Sequence, residues 1–153
     1  MYKKYAIGYN LTNCHIYKLL SKFLSHNYGI MSPKTLKTIS RYTMSFFYIS
    51  VGLNHFINPE WFVKIVPPVF SGIDYELVYV SGICEVLFGF LICVPKARYY
   101  AAWGLILTLA AVFPANIYLA QTNGVAMETT AAVAWYRLPF QSLFIVLAYW
   151  HRN

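Results

Sequence analysis

The sequence predicts an all-α fold: a four-helix transmembrane bundle with a short interfacial helix between spans one and two. Three observations carry that prediction. The first is composition. Of 153 residues, 59% are hydrophobic and 11% charged, where soluble domains carry about 25% charged residues. The mean hydropathy of +0.49 agrees. The second is that the apolar residues fall into segments near the roughly 20 residues that cross a bilayer. The third is that the basic residues gather where an even number of spans places them on one side of the membrane.

Residues 1–38 form a basic tail. Lys3, Lys4, Lys18, Lys22, Lys34, Lys37 and Arg41 all come before or at the start of the first apolar segment, with no acid among them. No apolar run follows the Lys pair, so no signal peptide is expected. Ile16, Leu19, Leu20, Phe23 and Leu24 have helical spacing with Lys18 and Lys22 opposite, the pattern of a helix lying on a membrane. A second reading takes Met31 as the start of translation and residues 1–30 as upstream of it. Both readings stand on the sequence.

The transmembrane domain is expected over residues 39–150. Span one covers about 39–57, with Arg41 reaching back to the surface. Asn58 caps the next helix, and Pro59 takes its first position, where a missing N–H costs nothing. Trp61, Phe62, Ile65 and Val66 then share one side, with Glu60 and Lys64 elsewhere. This is a short helix in the interface plane, anchored by Trp61 and Phe62 and ended by Pro67-Pro68. Span two covers about 75–94 and carries Glu85 near its middle. Lys96 and Arg98 follow it in a tight turn. Span three, about 99–120, has no formal charge. Pro114 lies inside it and should kink it by freeing the carbonyl of Ala110. The loop from Gln121 to Glu128 has no basic residue. Span four covers about 131–150 and contains Arg137 and Pro139.

The charges choose an orientation. The tail, the turn after span two and the C-terminal His151-Arg152-Asn153 hold nearly all Lys and Arg outside the spans. Four spans put these segments on one side, which the positive-inside rule makes cytoplasmic. The expectation is a multi-pass plasma (inner) membrane protein with both termini inside. Its first partner is the lipid bilayer, and the net charge of +7 faces the anionic leaflet. Nucleic acid is excluded as a partner, because no folded basic face with stacking aromatics is visible.

Glu85 is the leading functional residue. A carboxylate at mid-depth costs about 2.5–3.5 kcal/mol on insertion scales, so it must face protein or water. Ser81, Glu85 and Gly89 share a face, and the small residues let a neighbouring helix approach. Asn54 and His55 lie near the outer end of span one, Asn116 in the outer part of span three, and Arg137 and Gln141 in that of span four. Together the six residues Glu85, Arg137, His55, Asn54, Asn116 and Gln141 make a buried polar site in the outer half of the bundle. Glu85 with Arg137 is the natural ion pair, and His55 its third member.

Plainer readings stand beside each. The pair is equally a clamp that sets helix register, and Arg137 can reach outward to lipid phosphate. His55 more often bonds a carbonyl than works. Asn116 more often satisfies the carbonyl freed by Pro114. Trp61-Phe62 is more often an anchor than a ligand slot. No metal site is expected: His15, His26, His55 and His151 are scattered, with no pair at i, i+4. No Gly-rich phosphate loop or nucleophile elbow occurs. Cys84 and Cys93 fall on opposite faces of one helix and cannot bridge.

Several segments in order resemble one family. Gly52-Leu-Asn-His-Phe-Ile-Asn-Pro59 followed by Trp61-Phe62 and Ile65-Val-Pro-Pro68 resembles the first-span signature of DoxX-like membrane proteins. Ser81-Gly82-x-x-Glu85-x-x-x-Gly89, Pro95-x-x-Arg98, Ala101-Ala-Trp-Gly104, Phe113-Pro-Ala-Asn-Ile117 and Trp135-x-Arg137-Leu-Pro-Phe-Gln141 are similar to the rest. The resemblance covers about residues 39–150 and implies a four-helix membrane fold. It implies varied roles: subunits of thiosulfate:quinone oxidoreductases, a membrane partner of thiol-redox enzymes, and distant eukaryotic assembly and export factors. Fold cannot choose among them, and this chain lacks a dithiol.

Three functional expectations follow. The first is a binding or assembly component, not an enzyme by itself, whose polar site accepts a membrane partner protein or a lipid-like ligand. The second is the membrane subunit of a quinone-linked oxidoreductase complex, with quinone as cofactor, His55 or Glu85 handling protons, and a redox partner protein. The third is a proton-coupled small-solute carrier that exchanges at Glu85. Each is compatible with an oligomer.

Overall fold

A computed structural model describes residues 31–153. The described residues fall into two units, with the boundary between Ile39 and Ser40. The surface helix expected over Ile16–Leu24, the lysines before it and the alternative of an upstream segment all concern residues 1–30, outside the described residues.

Among the described residues the fold is all-α. Five α-helices follow in order: α1 (Pro33–Ile57), α2 (Pro59–Val63), α3 (Asp74–Leu91), α4 (Arg98–Gln121) and α5 (Ala131–Trp150), with single 3-10 turns at Pro68–Phe70 and Val125–Met127. In the first unit, Ser32 Oγ accepts the Thr35 N–H at 3.1 Å. That cap, with Pro33 at the first helical position, starts α1 before the apolar pattern does, at Pro33 rather than residue 39.

The second unit begins within α1. Asn58 takes the N-cap position of α2 as expected, with Pro59 next, but its side chain does not cap. Its Nδ2 donates instead to Asn54 Oδ1 at 2.7 Å. The helix ends at Val63, before Pro67-Pro68, and those prolines lead into the 3-10 turn. α3 stops at Leu91, so Cys93 and Val94 lie in the turn that follows; Cys84 and Cys93 are both free thiols. α4 runs through Pro114 as one helix, and α5 through Pro139. The side chain of Thr130 caps α5 by accepting the Val133 N–H.

α4 and α5 are each long and apolar enough to cross a membrane. α1 and α3 have 25 and 18 residues but carry more charge: Lys34, Lys37 and Arg41 in the first, Asp74, Glu76 and Glu85 in the second.

Within the second unit α2 packs on α3, α3 on α4, and α4 on α5. α1 meets α5 through Phe47 stacked on Phe144, with ring centroids 4.7 Å apart. The main core joins Met44, Tyr48, Ile92, Ala101, Leu105, Leu109 and Ala148. A smaller one joins Ile65, Leu119, Met127 and Ala134. Outside these cores, each long helix leaves large apolar side chains uncovered, among them Phe46, Phe90, Leu107 and Tyr136. Two polar links tie loops and ends. Ser40 Oγ lies 3.1 Å from His151 Nε2, joining the start of α1 in this unit to the end of α5. Lys64 Nζ lies 2.9 Å from Glu128 Oε1, joining the segment after α2 to the α4–α5 loop.

Candidate functional site

The site is built on a contact between two glycines. A Cβ on Gly52 of α1 would sit 2.8 Å from the carbonyl oxygen of Gly82 and 3.0 Å from Glu85 Cβ. A Cβ on Gly82 of α3 would sit 2.8 Å from His55 Cβ and 3.0 Å from the carbonyl oxygen of Gly52. Neither helix tolerates a side chain there, so the two backbones lie against each other. About two turns along α3, a Cβ on Gly89 would sit 2.9 Å from Tyr48 Cβ. The face expected from Ser81, Glu85 and Gly89 is therefore the packed face of α3, with Gly82 as its closest point.

That approach carries His55 to Glu85. His55 Nδ1 lies 3.1 Å from the Val78 carbonyl and 3.0 Å from Ser81 Oγ. The Ser81 hydroxyl also reaches the Val78 carbonyl, at 2.8 Å. A carbonyl oxygen only accepts, so Nδ1 holds a proton in this arrangement. Nε2 then faces Glu85 Oε2 across 3.8 Å, with both side chains 7% exposed. That separation is beyond hydrogen-bond reach, so imidazole and carboxyl face each other without a bond between them. The Phe62 ring closes over the imidazole, with centroids 3.8 Å apart.

On the opposite wall, α4 and α5 are joined by amides. Asn116 Nδ2 donates to Gln141 Oε1 at 3.0 Å, and Gln141 Nε2 donates to the Leu109 carbonyl. Arg137, one turn before Gln141, donates from Nη1 to the sulfur of Met127 at 3.2 Å. The loop before α5 positions that sulfur. Gly124 adopts φ +83°, and a Cβ there would meet the Thr129 carbonyl oxygen at 2.6 Å, so the chain turns back tightly around it.

Between the two walls lies a cavity of about 840 Å³. All six polar residues expected at the site line it: Asn54, His55, Glu85, Asn116, Arg137 and Gln141. Three buried polar atoms around it have no hydrogen-bond partner among the described residues: Tyr48 Oη, Glu85 Oε2 and Asn116 Oδ1. Buried polar groups are normally satisfied, so this cluster is a place for water or a polar ligand.

Three expectations are corrected. Glu85 and Arg137 are not an ion pair; Glu85 faces His55, because the glycine contact sets α1 rather than α5 against it. Asn116 bonds to Gln141 instead of the carbonyl freed by Pro114. Phe62 is no outward anchor: it is 7% exposed and packs on His55, while Trp61 remains 42% exposed and is among the residues that line the cavity. Two residues were missed. Ser81 was read as a small spacer, not as a partner of His55. Tyr48 lies four before Gly52 and seven before His55, a helical spacing that put all three on one face. Among the described residues no three His, Cys, Asp or Glu side chains converge as metal ligands would.

The family described as "Domain of unknown function (DUF8561)" matches residues 44–152, and the chain belongs to it. The match spans every residue that lines the cavity. No curated protein and no solved structure matches the chain.

Proposed function

We propose that this DUF8561 member is a four-span membrane protein that holds a small lipid-like molecule in its cavity, as a binding or assembly component without turnover of its own. The observation that carries the reading is the cavity: about 840 Å³, mostly apolar walls, and three unpartnered buried polar atoms around it. Ligand sites have this size and this combination of apolar lining with a few polar groups.

Several facts support the membrane setting. α4 and α5 meet the length and apolarity needed to cross. α1 and α3 pack beside them, and their 25 and 18 residues reach about 38 and 27 Å at 1.5 Å per residue. All four leave apolar side chains outside, a surface a soluble monomer rarely carries. Arg41, Lys96, Arg98 and Arg152 lie near the end marked by the Ser40–His151 link, while Lys64 and Glu128 mark the other. In this reading the first end is cytoplasmic. The resemblance to DoxX-like proteins fits the same four spans and belongs to this proposal.

The test is extraction in mild detergent, followed by mass spectrometry of whatever remains bound. A small amphiphile near one per chain, lost when Leu109→Trp fills the cavity, is the expected result. A preparation carrying neither small molecule nor membrane partner sinks the reading.

One observation favours a second reading, a quinone-linked subunit. His55 and Glu85 set an imidazole and a carboxyl face to face in a cavity that Tyr48, its hydroxyl unpartnered, also lines, groups that could handle quinone protons. Quinone in the extract together with a catalytic subunit would select it. Carrier function ranks behind both: α3, α4 and α5 run unbroken, where carriers break helices at their sites.

A further inference from the structure

We infer that the molecule in this cavity is an acyl-chain amphiphile with an anionic head, which Arg137 receives while an acyl chain lies among the apolar walls. The inference rests on the cavity reading above and adds the sign and the orientation of the ligand.

The argument starts from an unneutralised cation. A guanidinium has five N–H donors and no acceptor. The one hydrogen bond of Arg137 among the described residues goes to the Met127 thioether, a weak acceptor without charge. Among the described residues no carboxylate pairs with it: Glu85 faces His55, and Glu128 holds Lys64 at the surface. A half-buried guanidinium with neither counterion nor strong acceptor is costly, and an oxyanion removes that cost through paired, charge-assisted bonds.

The rest of the cavity decides what the anion is attached to. Glu85 faces His55 on the other wall, and Arg137 is the one Lys or Arg side chain among the described residues that lines the space, so it supplies the cationic site there. Phe47, Val51, Leu77, Phe140 and Phe144 give it walls that suit a hydrocarbon chain rather than a sugar or a nucleotide. A cationic amphiphile is repelled by Arg137, and a neutral one leaves the guanidinium as it was. The head chemistry common to a fatty acid and a bilayer phospholipid, a single negative oxyanion on an acyl chain, satisfies both ends.

The experiment uses the full chain in detergent and native mass spectrometry, with palmitate and hexadecanol as probes of equal chain length. Palmitate should bind at least about tenfold more tightly than the alcohol, the scale of one charge-assisted hydrogen bond. Arg137→Gln should bring the two together by weakening palmitate alone, and Arg137→Lys should restore part of the difference. Equal binding of acid and alcohol to the native chain overturns the inference and leaves the cavity reading intact. That comparison needs no variant, so a misfolded Arg137→Gln does not obscure it. A preference for acid that survives Arg137→Gln overturns the role of Arg137. Binding of neither probe overturns the cavity reading itself. A second arm separates the sources. In phosphatidylcholine nanodiscs, displacement of palmitate by added phosphatidylglycerol assigns the site to bilayer lipid, and no displacement assigns it to the free acid; both outcomes support an anionic head.

Discussion

The two walls of the cavity solve the problem of buried polarity in opposite ways. On the α1–α3 wall, Gly52 and Gly82 bring the backbones into contact, and a histidine, a serine and a carboxyl meet within about one turn. On the α4–α5 wall, no glycine contact of this kind is used. Asn116 and Gln141 reach across and hold the helices through amide bonds. The first wall is positioned by close approach, the second by cross-links. Close approach fixes geometry but leaves Glu85 Oε2 without a hydrogen-bond partner; cross-links satisfy Gln141 at both ends but leave Asn116 Oδ1 unpartnered and, among the described residues, give Arg137 only a sulfur.

The sharpest way to break this contrast is at the glycines. Gly52→Ala would drive a methyl to 2.8 Å from the Gly82 carbonyl oxygen, a backbone atom that cannot step aside alone. Overpacking of this kind costs about 1–3 kcal/mol, partly offset by the roughly 1 kcal/mol that alanine adds in helix propensity. A lower unfolding midpoint is expected, with loss of the amphiphile proposed for the cavity. Gly104→Ala is the control. The three atoms nearest its new methyl all belong to the ring of Phe88, a side chain that can shift, so its loss should be smaller. Equal tolerance of both substitutions would remove close approach as the organising contact.

The cross-linked wall is tested at Gln141. Gln141→Leu leaves the Leu109 carbonyl and the Asn116 amide without their partner, a cost of about 1–3 kcal/mol. Adding Asn116→Leu should recover part of it, because removing both partners of a buried bond is gentler than removing one. A double variant no more stable than the single one would show that the amides do not act as a pair.

The smallest effect belongs to the link between Lys64 and Glu128, outside both walls. The Lys64 ammonium, by hydrogen bond and by charge, holds the Glu128 carboxyl below its ordinary range. A lowered folded value means that the link stabilises above the unfolded pKa and loses its effect as pH falls through the folded one. Exposed pairs contribute little and are screened by salt. Glu128→Gln should therefore lower the unfolding midpoint barely at neutral pH and not at all in acid or high salt. A larger shift would mean that the clasp bears on the cavity.

Much of this was legible in the sequence. Residues 131–150 bound α5 as expected, and the six polar residues placed in one layer do line one space. Helical depth along a chain can be counted at a fixed rise per residue, so residues on different helices can be assigned to one level. The direction around each helix axis cannot be counted. It depends on which helices touch and at what angle, and the Gly52–Gly82 contact decides that. For this reason the sequence pairs Glu85 with Arg137, whereas in the structure the two line one cavity without meeting. Phe62 was misread on the same ground: an aromatic beside Trp61 has the composition of an anchor, and only the position of His55 shows that it turns inward. The start of α1 was missed because Ser32, Pro33 and Thr35 form a cap before any apolar pattern begins.

The meeting of imidazole and carboxyl in this protein is specified by two hydrogen atoms. Where Gly52 and Gly82 face one another, every other amino acid would place carbon, and the helices would have to part by the width of a methyl group. A drift in sequence that kept every ionisable and amide side chain here but enlarged either of those residues would preserve the whole chemical inventory and dissolve the place where it assembles.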